Sequence, residues 1–333
     1  MLAIERFWRP GRQASLVLLT CAVFASAAAA SELVLLRTIG GDDDDVLIHR
    51  PERVVFGPDG SAYVLNGGDC RILRFDRDWN CIGVFAQCGQ GPGEFENATG
   101  MILHQDMVWI FETAQATLFD LAGQYLETRR GQMLLQGPVV RGEDIICRLD
   151  GSDRAACRVN DKLELIQKLG PACPTDDFFE RYKRCGFMHL LSHPDYVCLL
   201  INPIDGALHA VGDDGEVVRT VSLMDREGRS EAAREDDSVS MSFTLVLGKG
   251  FVDAAGRLWT LPLPPEEEEE QDEEKPQIVV VRDRGFEKIA EFTLPRDVKG
   301  YDLAPTPGGD LVLLDARESL IHVLESPDLP ARE

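Results

Sequence analysis

From residue 50 onward, apolar and polar positions alternate in short runs, and turn-forming residues break the runs at close intervals. The stretch GPDGSAYVLNGGDCRILRFDRDW, residues 57–79, carries the pattern in compact form. An apolar run at 53–56 meets a Gly-Pro-Asp-Gly turn, and 62–65 alternates into the loop Asn66-Gly67-Gly68-Asp69. A third run at 72–75 ends in a turn at 76–80, and a fourth follows at 82–85. Runs this short, bounded by Gly, Asp and Pro, predict β-strands rather than helices.

The grammar recurs. Further groups open at residues 101–103, 138–140, 187–191, 249–252 and 300–303, each leading through a polar turn into a second apolar run. Six groups of ~40–60 residues with four strands each predict an all-β, six-bladed β-propeller. The sixth group runs out of sequence after its third strand, near Glu325. The segment ELVLLRTIG, residues 32–40, stands ahead of the first group as an orphan strand. It is expected to complete the last blade and close the ring, because closure removes exposed sheet edges.

One group carries a family likeness. RPERVVFGPDGSAYVLNGGDCRILRFDRDWNCIGVF, followed by GQGPGEFENATGM, resembles an NHL repeat. The shared features are a Pro-led inner strand, an Asp-Gly turn, Tyr-Val, a polar loop, Arg-Ile and Phe-Asp, then a Gly-rich link ending in Phe. The match is close over residues 50–100; later groups share only the turns and apolar strands. The resemblance implies a six-bladed propeller of NHL type forming one domain over residues 31–330.

The amino terminus reads differently. Arg6, Arg9 and Arg12 precede an apolar run at 16–29 that ends in Ala28-Ala29-Ala30, the make-up of a cleaved secretory signal over residues 1–30. The run is shorter than the ~20 residues a membrane-spanning helix needs. A periplasmic or extracellular address follows, with no membrane span after cleavage. Loss of Cys21 with the leader leaves an even number of cysteines, and Cys147 and Cys157 flank the turn DGSDR symmetrically. They are expected to face each other across a hairpin, within disulfide reach.

The formal net charge is −23, and the leader removes more base than acid. Such a surface repels phosphate backbones, which argues against nucleic acid as a partner. In a propeller, the loops between second and third strands share a face with the links between blades. That face collects Asp69, Glu112, Asp150, Asp205 and Asp315, with further acids at 42–45, 94 and 96, 176–177 and 235–237. Residues 262–276, PLPPEEEEEQDEEKP, are expected to form an extended, disordered insertion in the fifth blade. The acidic rim serves solubility, docks a basic protein, or holds a cation. Calcium takes six to eight oxygen ligands, and Asn66, Asp69, Asn202 and Asp205 are the candidates to supply them.

His49 and His189 fall on opposite sides of the predicted ring and are too few for a catalytic metal, which usually has three protein ligands. Serine-nucleophile elbows, P-loops and H-E-x-x-H are absent. The sequence therefore points to a monomeric, exported, non-enzymatic propeller that binds a basic protein or a small ligand through its acidic rim. The alternative is a calcium-dependent propeller hydrolase or lyase, resembling lactonase-type and amidating-lyase-type six-bladed enzymes.

Overall fold

The computed structural model describes residues 31–41, 46–174, 177–224, 230–235, 238–243, 245–263 and 276–329. The expected leader at 1–30, the acids at 42–45 and most of the acidic insertion lie outside the described residues.

The fold is all-β and propeller-like, with four-stranded blades. Four antiparallel sheets follow one another along the chain, each ordered first strand to fourth. They begin with Pro51–Phe56, Gly100–His104, Leu135–Arg141 and His189–Leu191. The remaining main strands form a nine-stranded sheet. One half holds Leu247–Val252, Leu258–Pro262, Ile278–Arg282 and Lys288–Thr293, with the two residues Ser31–Glu32 at its edge. The other half holds Asp302–Pro305, Leu311–Asp315, Leu320–Leu324 and Leu35–Ile39. A single parallel pairing, Lys249 with Asp302, joins the halves.

The orphan amino-terminal segment does what its pattern predicts. Leu35–Ile39 pairs antiparallel with Leu320–Leu324, matching Thr38 to His322 and Ile39 to Ile321. It forms the outer strand of the last group.

Packing follows the same order. Among the described residues, buried apolar side chains gather into clusters shared by neighbouring groups. Trp109 and Phe111 of the second sheet pack with Ile145 and Cys157 of the third. Val312 and Leu314 near the carboxyl end pack with Val54, Val64 and Phe75 of the first sheet, and Ile39 joins them. First-strand residues from every group line two cavities that share Arg53 and Leu191, one carrying several charged side chains and the other lined chiefly by apolar ones. The inner strands therefore surround a central channel.

Gly250 shows how tightly an inner strand meets its neighbour. A Cβ there would lie 1.9 Å from the Trp259 carbonyl oxygen, at the point where the register between the two strands shifts. Only glycine fits this bulge without displacing backbone.

The cysteine expectation is corrected. Cys147 and Cys157 do stand opposite each other in register, but both are free and fully buried. Their side chains enter the apolar cluster between the second and third sheets and act as small hydrophobes. The disulfides are Cys70–Cys88 and Cys173–Cys185. Each closes a short loop on the face where links and second-to-third-strand loops meet. Cys70 follows a turn at Gly67–Asp69 in the left-handed conformation, φ 52°, which turns the chain toward the link bearing Cys88.

Candidate functional site

The acids singled out in the sequence are held apart, each in its own turn. Asp69 lies 3.2 Å from His49 Nδ1 and accepts from Asn66 Nδ2. Glu112 accepts from the Glu96 backbone at 2.9 Å and from Gln115 at 2.7 Å. Asp150 accepts from Gly151 N, Asp205 from Ala207 N, and Asp315 from the backbones of Arg317 and Glu318. Asn66 and Asn202 are buried but serve local backbone. Asn66 Oδ1 accepts from His49 N, and Asn202 joins Ile204 N to the Lys183 carbonyl. These are the bonds of turn formers. Among the described residues, no group of three or more His, Cys, Asp or Glu side chains is placed to hold a metal ion.

What converges instead is basic. The polar cavity, of about 210 Å³, lies at the channel end beneath the rim. Glu52, Arg53, Arg148, His189, Lys249 and Tyr301 all line it. Asp302 follows Tyr301 and is 6% exposed at its side chain.

Local structure sets each group in place. Arg53 stands on the first inner strand, opposite Leu65. Arg148 pairs in register with Gln136 on the third sheet and donates to the Gln136 side chain and to the Met188 carbonyl. The Gln277 amide clamps Gly300 by bonding both its N–H and its carbonyl, each at 3.1 Å. Tyr301 is then held on both sides of its peptide unit, its N–H donating to Leu314 O and its carbonyl accepting from Lys249 N. The clamp presents Tyr301 and Asp302 as consecutive residues at the channel mouth. A short helix, Phe178–Arg181, and the helical turn Tyr182–Gly186 lead into Phe187 and Met188 on the cavity wall, with Cys173–Cys185 closing this link.

Asp302 is the local counter-ion. Arg53 Nη1 lies 3.6 Å and Lys249 Nζ 3.9 Å from its Oδ2, yet neither carboxylate oxygen has a hydrogen-bond partner. Lys249 keeps 38% of its side-chain surface accessible because it faces the cavity, while protein surrounds it otherwise. Burial pulls its ammonium below the ordinary lysine value, opposed by Asp302 and reinforced by Arg53 and Arg148. Burial also drives His189 well below the usual imidazole value, and Lys249 and Arg148 add to the effect. His189 is therefore neutral. His189 Nε2 lies 2.9 Å from Tyr301 Oη, within hydrogen-bond distance. The Tyr301 phenol is raised, first by burial and then by Asp302, so it remains a donor.

Sequence reasoning reached His189 but left out Arg53, Arg148, Lys249, Tyr301 and Asp302. A signal was present: Lys249 interrupts the apolar inner-strand run LGKGFV, where a solvated charge has no place. His49, expected across the ring from His189, is exposed beside Asp69 and does not line the cavity.

No family model and no curated protein matches the chain. Solved structures do. A member of the DUF4221 family from Bacteroides vulgatus is 11% identical, covering 89% of this chain and 98% of that one, with a TM-score of 0.53. A Bacteroides fragilis protein described as exported is 9% identical over 90% and 95%, with a TM-score of 0.55. Virginiamycin B lyase from Staphylococcus aureus is 10% identical over 87% and 99%, with a TM-score of 0.54. At these identities the likeness speaks to architecture alone. The chain is a β-propeller.

Proposed function

We propose that the protein is an exported, non-enzymatic, six-bladed propeller of NHL type that binds a ligand in the mouth of its central channel, beneath an acidic rim. The observation that carries this reading is the convergence of Arg53, Arg148, Lys249 and the His189–Tyr301 pair on one cavity. A concave site with a few convergent polar groups and perturbed titration is the default binding site of a fold.

The count of six treats the nine-stranded sheet as two blades touching through the single Lys249–Asp302 pairing. The packing of the carboxyl-terminal group on the first sheet supports it. Export is supported by the leader composition, by two disulfides of the kind that persist in oxidising compartments, and by the likeness to a protein described as exported. Among the described residues, no helix is long and apolar enough to cross a membrane. The rim acids, bonded within their own turns, supply a negative collar that suits a basic protein partner or screens what approaches the channel.

A thermal-shift screen of acids, amines, sugars and short peptides tests the reading, followed by hydrogen exchange on each stabilising compound. Protection at residues 52–53, 99–100 and 248–249 is expected. Protection confined to rim loops or outer strands overturns the channel as the site.

A further inference from the structure

Resting on the channel reading, we infer that the ligand held at the mouth is a compact dianion, a dicarboxylate or a phosphate monoester. The chain as a whole is strongly acidic, with a formal net charge of −23, so a basic interior runs against composition. Three permanent or near-permanent cations, Arg53, Arg148 and Lys249, face one cavity. Against them stand the buried carboxylate of Asp302 and Glu52 on the cavity lining, which also pairs with Arg50 at 2.7 Å. His189 is neutral and adds no charge. The cations of the mouth thus outnumber its carboxylates, Asp302 and Glu52, and buried charge is costly unless paired.

Hydrogen-bonding capacity points the same way. Arg53 and Lys249 stand 3.6 and 3.9 Å from Asp302, beyond direct hydrogen bonds, so their donors are free to turn toward the cavity. Arg148 is fixed from behind by Gln136 and Met188, which orients its guanidinium, and Asp150 is the main acidic charge acting on it. Guanidinium groups match carboxylate and phosphate oxygens in geometry as well as charge. The Tyr301 hydroxyl, tied to His189, lies on the same wall.

Two features limit the size of the anion. The cavity of about 210 Å³ is smaller than the ~300–1,000 Å³ of drug-sized sites. The acidic rim outside it repels a long polyanion more than a compact dianion, and only charges more than ~8 Å apart are largely screened at physiological salt.

Calorimetric titration of the full mature chain, at constant ionic strength, separates the outcomes. The probes are succinate, glycerol phosphate, inorganic phosphate, acetate, a neutral sugar and a diamine. Succinate or a phosphate is expected to bind at least tenfold more tightly than acetate, and the stronger of the two arms identifies the source. Lys249→Met and Arg148→Gln should each weaken that binding tenfold or more, with thermal unfolding of each variant reporting its fold. Should Arg148→Gln unfold, Lys249→Met alone decides, because its apolar stem is kept. Dianion binding unchanged in a folded Lys249→Met protein overturns the assignment. A sugar or diamine that protects the inner-strand residues, with no dianion binding, overturns the dianion and leaves the channel reading standing. No binding by any probe and no inner-strand protection overturns both.

Discussion

Lys249 and Asp302 meet twice. Their main chains form the single parallel pairing between two halves of the nine-stranded sheet, and Lys249 Nζ lies 3.9 Å from Asp302 Oδ2. Arg53, from the first sheet, reaches the same carboxylate at 3.6 Å. One buried acid therefore ties the beginning of the ring to its end. Asp302→Asn keeps the shape but leaves Arg53 and Lys249 without a counter-charge. The expected cost is about 1–3 kcal/mol, below that of a fully buried pair because both cations keep some solvent access. Lys249→Met should cost less, since Arg53 still faces Asp302. Denaturant unfolding of the two variants checks the order.

Acid should weaken the fold before the carboxylates titrate. Burial lowers His104, His189, His193, His209 and His322 from the ordinary value of 6.5. As pH falls through 6.5, the unfolded chain takes up protons that the folded chain still refuses. The unfolded state then binds more protons, so stability falls with falling pH until the folded imidazoles charge in turn. The unfolding midpoint should drop between pH 7 and 5, and a His189→Gln variant should show a shallower drop.

The alkaline side is set by thiols. Burial pushes Cys157 and Cys198 up to about 12 and raises Cys147 well above the usual 9.0. Above pH 9 the unfolded chain loses these protons while the folded chain keeps them, so stability falls as pH rises. Cys198→Ala should reduce the slope of midpoint against pH between 9 and 11.

Alkylation of the unreduced protein in denaturant should label Cys81, Cys147, Cys157 and Cys198 and spare Cys70, Cys88, Cys173 and Cys185. Labelling of Cys88 or Cys185 by peptide mapping would contradict the pairing. Loops of 18 and 12 residues are closed by the two bridges, so reducing either should cost about 3 kcal/mol.

The closing strand offers a contrast within three residues. Ile39 is buried with Val312 and Ile321, whereas Leu36 is 50% exposed. Ile39→Ala should cost ~2–5 kcal/mol. Leu36→Ala should stay within about 0.5 kcal/mol of wild type. Equal effects would mean that the strand docks by some other face.

Architecture was readable because period-two alternation and turn chemistry are local signals that repeat in every blade. The fit of residues 32–40 to a missing outer strand was readable for the same reason: an unpaired strand at one end and an incomplete sheet at the other. The site was not. Arg148 and Lys249 lie roughly a hundred residues apart in sequence, and their convergence depends on how the inner strands are arranged around the axis. Acids were plentiful and drew the eye, but Asp205 and Asp315 spend their oxygens on neighbouring backbone, and Asp69 meets the Asn66 and His49 side chains. The Cys147–Cys157 expectation had the register right and the chemistry wrong, because opposition across a hairpin does not decide whether two thiols bond or simply fill a core.

The pairing of Leu35–Ile39 with Leu320–Leu324 has a bearing on the order of events during synthesis. Leu35–Ile39 has no antiparallel partner until Leu320–Leu324, nearly three hundred residues later, has been made. Such long-range pairings form slowly and late. The amino-terminal segment therefore stays unsatisfied while the ribosome works, and the ring cannot lock prematurely. Closure of the last sheet therefore waits until both of its ends have been made.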